Sequence, residues 1–294
     1  MQPDPLDGVE APDQEASIQR NPYTDFSAVE CQRPSYQHDG MLKFSKTPNT
    51  SWRAGDGASN KDWEHRRFMS IDPYEDNRGP WLNYKLLISA TVPRPIALAS
   101  TVSADGMTRN LAPFSFWQCV SVDPPMYSLS FTGRGVNDTL TNILATGEVC
   151  ISSTADWIIE AANFASVNTP RHISEWPMSG LSPKPSEIIQ PPFVAESPYS
   201  VECKLHSHHD IYSKINPKIR TATLVIVEVV RFHIWEDAIG PDRATANMDK
   251  LRPVFRAGGM MYGTCCDVFE LPRPRPFREL REDNAINKLV SETQ

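Results

Sequence analysis

Three short stretches carry residue types suited to holding a phosphorylated, flat and partly apolar ligand. Ser100 and Thr101 end an apolar run with hydroxyls, and Asn110-Leu111-Ala112-Pro113-Phe114-Ser115 sets an amide, small residues and a hydroxyl into a second run. Asn137-Asp138-Thr139 then precedes Leu140, Ile143 and Leu144, which share one helical face before Gly147. That last pattern predicts a helix capped by Asp138 and stopped at Gly147. Unpaired N–H groups at a helix start favour an anion, and Asn137 and Thr139 add side-chain donors beside them. A phosphate is therefore expected at this helix start. A ring would lie across the paired strands, where Ser100, Thr101, Asn110, Ala112 and Ser115 offer donors and close backbone approach, with Ala112-Pro113 as a stiff apolar wall.

The elements that must position these groups read mostly as β. Ile96 to Val102 is an unbroken small-apolar strand ending at Ala104-Asp105-Gly106, where Asp-Gly is expected to supply the positive φ angles of a tight turn. Arg109 to Gln118 returns as its partner. Met126 to Thr132 alternates like a half-buried strand and is closed by Gly133 and Gly135. Glu148 to Ser152 reads as a short strand, and Ser153 or Thr154 is placed to cap a helix containing Trp157, Ile158, Ala161 and Ala162. After a Pro-rich connection from Trp176 to Pro198, strands are expected at Val201 to His206 and Thr221 to Ile234, the latter β-branched and central. Strands joined by hairpin-like connections and interrupted by two helices indicate a mainly β, antiparallel barrel and not a βαβ sheet.

With 294 residues and 40% hydrophobic content, the chain can bury a full core without staples. A net charge of −7 argues against a nucleic-acid partner, whose footprint is basic and clustered. No apolar run reaches membrane-helix length, and Met1 to Arg20 is acidic and Pro-rich, so a soluble cytoplasmic protein with no membrane partner is expected. The six cysteines form no Cys-x-x-Cys pair, which leaves reduced and mostly buried thiols as the expectation. His206, His208, His209 and Asp210 fall short of a closed metal site, so no metal is expected. Residues 1–70 read as an acidic, Pro-rich arm, mobile from Met1 to about Arg20. Its aromatics, with Phe44, Trp52, Trp63 and Phe68 followed by Trp81, are expected to anchor on the domain or on a partner subunit. A domain over 71–265 follows, then a tail over 266–294 that opens with Pro272, Pro274 and Pro276 on an extended path.

No Gly-x-Gly-x-x-Gly fingerprint is present: Gly55-x-Gly57 and Gly133-x-Gly135 lack the third glycine. A nicotinamide would thus have to dock on the face of another cofactor. The order of Asn83-Tyr84-Lys85-Leu86-Leu87, Val92-Pro93-Arg94-Pro95-Ile96-Ala97-Leu98-Ala99-Ser100-Thr101, Asn110 to Phe116 and Asn137 to Ile143 closely resembles the flavin reductase-like, FMN-binding split-barrel family. Arg256-Ala257-Gly258-Gly259-Met260-Met261-Tyr262 resembles that family's Arg-x-Gly-Gly-x-x-Tyr close. The resemblance covers about residues 70 to 263.

It implies an FMN-binding split β-barrel that forms a homodimer with the flavin, FMN or alternatively FAD, near the subunit interface. It also implies NAD(P)H as co-substrate and reduced flavin passed to a monooxygenase partner, which is NAD(P)H:flavin reductase activity. Alternatives are a flavoenzyme acting directly on a small organic metabolite, with the Trp176 to Pro198 loop in a lid, or a non-enzymatic FMN carrier. Arg256 and Tyr262 are the candidate catalytic pair, and Gly258 and Gly259 would permit close backbone approach. Asn137 stands where the family commonly has a lysine, so either Arg134 or Arg94 supplies the missing charge or phosphate binding is weaker.

Overall fold

The computed structural model describes residues 21–37, 42–133 and 135–291. The expected mobility of Met1 to Arg20 and the role given to Arg134 lie outside them. The chain divides into two compact units, one holding 85–264 with the described residues up to 37, the other 42–84 with 265–291.

The larger unit is mainly β. Helix α1 (Pro80–Ala90) leads into β1 (Arg94–Pro95), β2 (Ala97–Val102), β3 (Arg109–Phe114), β4 (Trp117–Val122) and β5 (Pro125–Thr132). Then come α2 (Asp138–Thr146), β6 (Glu148–Ser153), α3 (Ile159–Phe164), α4 (Trp176–Ser179), β7 (Tyr199–Tyr212), β8 (Arg220–Ile234), β9 (Val254–Arg256) and β10 (Tyr262–Thr264). Seven strands form one sheet in the order β3-β2-β6-β7-β8-β5-β4, with every pairing antiparallel. Its two outermost strands, β3 and β4, are joined by Ser115 and Phe116 alone, so the sheet must curl to bring its edges together. A smaller sheet runs β10-β9-β1.

The apolar run of β2 is continuous because the strand is buried on both faces. Ala97 and Ala99 pack with Leu140 and Ile143 of α2 and with Val149, Val201, Val225 and Val227 of the sheet. Leu98 faces a second cluster with Leu111, Ile158, Ala162, Trp176 and Leu181. At the β2–β3 turn only Gly106 takes a positive φ. Asp105 contributes its carboxylate instead, accepting from Ser103 Oγ at 2.6 Å and Met107 N at 3.0 Å. The expected Arg109 to Gln118 strand is broken at Ser115–Phe116, and Pro113 is tolerated because β3 is an outer strand.

Neither Ser153 nor Thr154 caps the following helical segment, whose turns begin at Asp156 and Ile159 without a side-chain cap. The Trp176 to Pro198 connection is pinned rather than lid-like. Trp176, Leu181, Ile189, Phe193 and Val194 are buried. Glu202, fully buried on β7, accepts the N–H groups of Glu187, Ile188 and Ile189 at 2.7, 2.7 and 3.1 Å and faces His233 Nε2 at 2.6 Å. Only Cys150 and Cys203 of the cysteines are buried; Cys31 and Cys119 are exposed. Burial pushes both buried thiols up.

In the smaller unit, Lys43–Ser45 pairs in parallel with Asp267–Phe269, so the arm and the tail meet in one ladder. Gly55 leaves room for Leu289, which a Cβ there would meet at 3.2 Å. The expected tail path is extended only to Pro276; helices follow at Phe277–Leu280 and Asn284–Ser291. Within the single chain Trp52, Trp63 and Trp81 are not buried, remaining 50%, 59% and 49% exposed. Trp52 and Trp63 donate locally, to Gly57 O and Asn60 O, and Trp81 stacks on Tyr84.

Candidate functional site

The helix expected after Gly135 forms, with its cap one residue earlier than read from the sequence. Asn137 takes the extended backbone of a cap, and its Oδ1 accepts from Leu140 N at 2.9 Å. Asp138 is consequently the first helical residue, and Gly147 ends the helix in the left-handed conformation. Among the described residues the N–H groups of Asp138 and Thr139 have no acceptor, so two donors stay available at the mouth, with Asn137 Nδ2 beside them.

Asp138 brings its own negative charge to this point. Burial raises its carboxyl above the ordinary range, with Arg171 opposing the shift and Glu175 adding to it. Arg171 Nε lies 3.2 Å from Asp138 Oδ1, close in charge but without hydrogen-bond alignment. Glu175 is itself buried and accepts from Leu111 N at 3.0 Å and from Thr169 Oγ1. Arg171 is thus a cation at the helix start that sequence reading missed, since nothing local marks a loop residue far along the chain.

The hydroxyls and amides picked from the sequence are brought together, but largely to one another. Asn110 Nδ2 donates to Thr139 Oγ1 at 2.8 Å, and Asn142 Nδ2 donates to Thr101 Oγ1 at 3.0 Å. All four are buried. These two bonds lock α2 onto β2 and β3. Asn142 was missed as well, although its spacing from Thr139 puts both on one helix face. Ser100 is also buried, with its Oγ lacking a hydrogen-bond partner among the described residues.

What remains open to a flat ligand is β3 and its continuation. Ala112, Pro113, Phe114 and Ser115 are half-buried, and Phe114 is held edge-on against Phe131 at 4.9 Å. From Asn110 to Phe114 this strip runs about 13 Å from the helix start. Free N–H donors at one end and a half-exposed apolar strip leading away from them suit the phosphate and ring of a flavin.

The remaining candidates sit elsewhere. Arg94 is buried, and its guanidinium donates to Ile88 O and Thr91 O at the end of α1 and to Ala257 O at 3.0 Å. It caps a helix, and none of these three bonds reaches Asn137. Arg256 is its direct partner in the β1–β9 ladder. The Arg256 guanidinium lies 4.3 Å from the Tyr262 ring centroid and donates to Gly259 O at 2.7 Å, while Tyr262 OH donates to Asn163 Oδ1 at 2.7 Å. Burial raises the Tyr262 hydroxyl, Arg256 opposing, so it stays protonated near neutral pH. Gly258 is a packing residue: a Cβ there would meet Ser89 of α1 at 3.0 Å. Among the described residues no group of three His, Cys, Asp or Glu is placed to hold a metal ion.

Residues 89–250 match the model of the flavin reductase like domain. Among solved structures, nitrilotriacetate monooxygenase component B from Bacillus cereus is 30% identical with a TM-score of 0.65, over 70% of this chain and 100% of that one. The 2-nitrobenzoate 2-nitroreductase of Pseudomonas fluorescens is 25% identical with a TM-score of 0.61, over 71% and 96%. A split barrel domain protein from Shewanella frigidimarina shares the fold at 22% identity and a TM-score of 0.58, over 68% and 98%.

Proposed function

The chain belongs to the flavin reductase like family, and we propose that it is an NAD(P)H:flavin reductase that binds FMN. Family membership makes a flavin its cofactor or substrate. The observation that carries the finer reading is the pair of free N–H groups at the start of α2 beside the half-exposed strip from Ala112 to Ser115. The flavin supplies the redox chemistry when bound, accepting a hydride from a nicotinamide.

The chain's own residues bind and orient. Asp138 N–H, Thr139 N–H and Asn137 Nδ2 would hold the phosphate, and Ala112 and Phe114, which share the α2 side of β3, would wall the ring. The Asn110–Thr139 and Asn142–Thr101 bonds keep helix and strands at fixed spacing. No acid or base is required of them, because hydride passes directly from nicotinamide to flavin. The adjoining edges of β3 and β4 support a split barrel, and the exposed apolar side chains Val120 and Val122 on β4 support pairing as a homodimer. No helix among the described residues is long and apolar enough to cross a membrane; we place the reaction in the cytoplasm, in the flavin domain over 71–265, flanked by the arm and the tail.

A second reading is direct reduction of a small organic substrate on bound FMN, favoured by the likeness to a nitroreductase. One assay separates the two. NAD(P)H oxidation that requires added FMN and continues through many turnovers supports the reductase, whereas tight flavin with turnover only in the presence of an organic acceptor supports the second reading. A protein that binds neither FMN nor FAD in a fluorescence titration would overturn both.

A further inference from the structure

We propose that Arg256 is the docking point for an oxyanion, a carboxylate or a phosphate, carried by the small molecule that meets the flavin. The inference rests on the flavin-oxidoreductase reading above.

The cations Arg78, Arg171, Arg220, Arg231, Lys250 and Arg252 each have a carboxylate within ion-pair distance. Arg256 is half-buried and has none among the described residues. A half-buried guanidinium without a counter-charge is a ready partner for an anion. The sheet adds to this. Arg256 stands directly opposite Arg94 in the ladder, and like charges facing across a strand pair repel. An anion at Arg256 would offset that repulsion.

The Arg256 side chain is held at two points and is not a wandering surface side chain. One terminal nitrogen is held by Gly259 O, and the guanidinium plane lies over the Tyr262 ring, whose hydroxyl is locked by Asn163. The remaining N–H groups of the fork match the two oxygens of a carboxylate or phosphate. Met261, 64% exposed, directly precedes Tyr262 and offers an adaptable apolar surface. The occupant is therefore an organic anion with an apolar or aromatic body. It is distinct from the flavin's own phosphate, which the reading above assigns to the start of α2. Two sources share this chemistry: the carboxylate of an organic acceptor, and the phosphate of a nicotinamide dinucleotide.

The test titrates benzoate, NADP+ and NAD+ into the full chain with FMN present, by calorimetry, for wild type, Arg256→Gln and Arg256→Lys. Arg256→Gln should weaken the responsive probe at least about tenfold, the worth of one charge-assisted hydrogen bond. Arg256→Lys, which keeps the charge but loses the fork, should fall between. Loss confined to benzoate assigns an acceptor carboxylate; loss confined to NADP+, with NAD+ weakened less, assigns the dinucleotide phosphate. The proposal is overturned if no probe binds wild type, or if all three proteins bind every probe alike. Should the chain fail to bind FMN, the flavin reading falls, while the same titrations without FMN still decide whether Arg256 holds an oxyanion.

Discussion

The amide of Asn110 on β3 donates to the hydroxyl of Thr139 on α2 at 2.8 Å, and both side chains are buried. This bond makes the proposed flavin-phosphate site and the fold depend on the same atoms. Thr139→Val removes the acceptor and leaves the Asn110 amide buried without it, at a cost of about 1–3 kcal/mol. The midpoint of urea unfolding should drop accordingly, and Thr139→Ser should restore most of it. An unchanged midpoint for Thr139→Val would show that the pairing carries no weight.

Gly258 and Ser89 make the corresponding contact on the other side of the domain. Because a Cβ at Gly258 would come within 3.0 Å of Ser89 Cα, the obstacle is helix backbone and not a side chain that can swing away. Gly258→Val should cost about 1–3 kcal/mol through overpacking, with Gly258→Ala costing less. Thermal melts of the two variants check the order. Loss of NAD(P)H oxidation in Gly258→Val at an unchanged melting temperature would instead mean that the glycine serves a ligand.

These two contacts show what could be read in advance. The continuous apolar run of β2 betrayed burial on both faces, and the helix after Gly135 was marked by its apolar spacing and by Gly147. Its cap was misplaced by one residue because Asn and Asp cap equally well, and backbone geometry chose Asn137. β4 was hidden because most of its side chains are exposed and no clean alternation marks it off from β3. The far end of β7 was missed for the same reason, His208 and His209 being solvent-facing. Partners distant in sequence left no local trace: Arg171 with Asp138, Asn163 with Tyr262, and Lys43–Ser45 with Asp267–Phe269. Residue types suited to a ligand were correctly gathered near α2, yet their spacing could not reveal that Thr101, Asn110 and Thr139 hydrogen-bond within the protein.

Glu202 should give the protein an acid-sensitive core. Burial alone would raise its carboxyl, but the hydrogen bonds from Glu187 N–H, His233, Ile188 N–H and Ile189 N–H outweigh it and hold the carboxyl below its usual value. A lowered folded value means stability that is present above the unfolded value of about 4.3 and is lost as pH falls through the folded value. Glu202→Gln turns an amide N–H2 toward donors that need acceptors, a loss of about 2–3 kcal/mol near neutral pH. Urea titrations should show the gap between wild type and Glu202→Gln narrowing in acid. A gap that stays constant down to about pH 3 would rule out the ionised carboxylate as its source.

Asp138 should act in the opposite sense and at the proposed site itself. Its folded value is raised, so the protonated form favours the fold; that contribution is complete below the unfolded value of about 3.9 and is lost as pH rises through the folded value. Asn mimics the protonated acid. Asp138→Asn should therefore melt higher than wild type near neutral pH, with the difference vanishing in acid, because burial outweighs the contact with Arg171. Binding gives an independent reading, because an ionised Asp138 beside the free N–H groups repels a phosphate that carries its own negative charge. Asp138→Asn should bind FMN more tightly than wild type while leaving riboflavin, which lacks the phosphate, nearly unaffected. The wild-type preference for FMN over riboflavin should also shrink as pH rises, and the variant should flatten that slope. Fluorescence titration of both flavins across the pH range checks all of this, and equal gains for FMN and riboflavin would remove the phosphate from the start of α2.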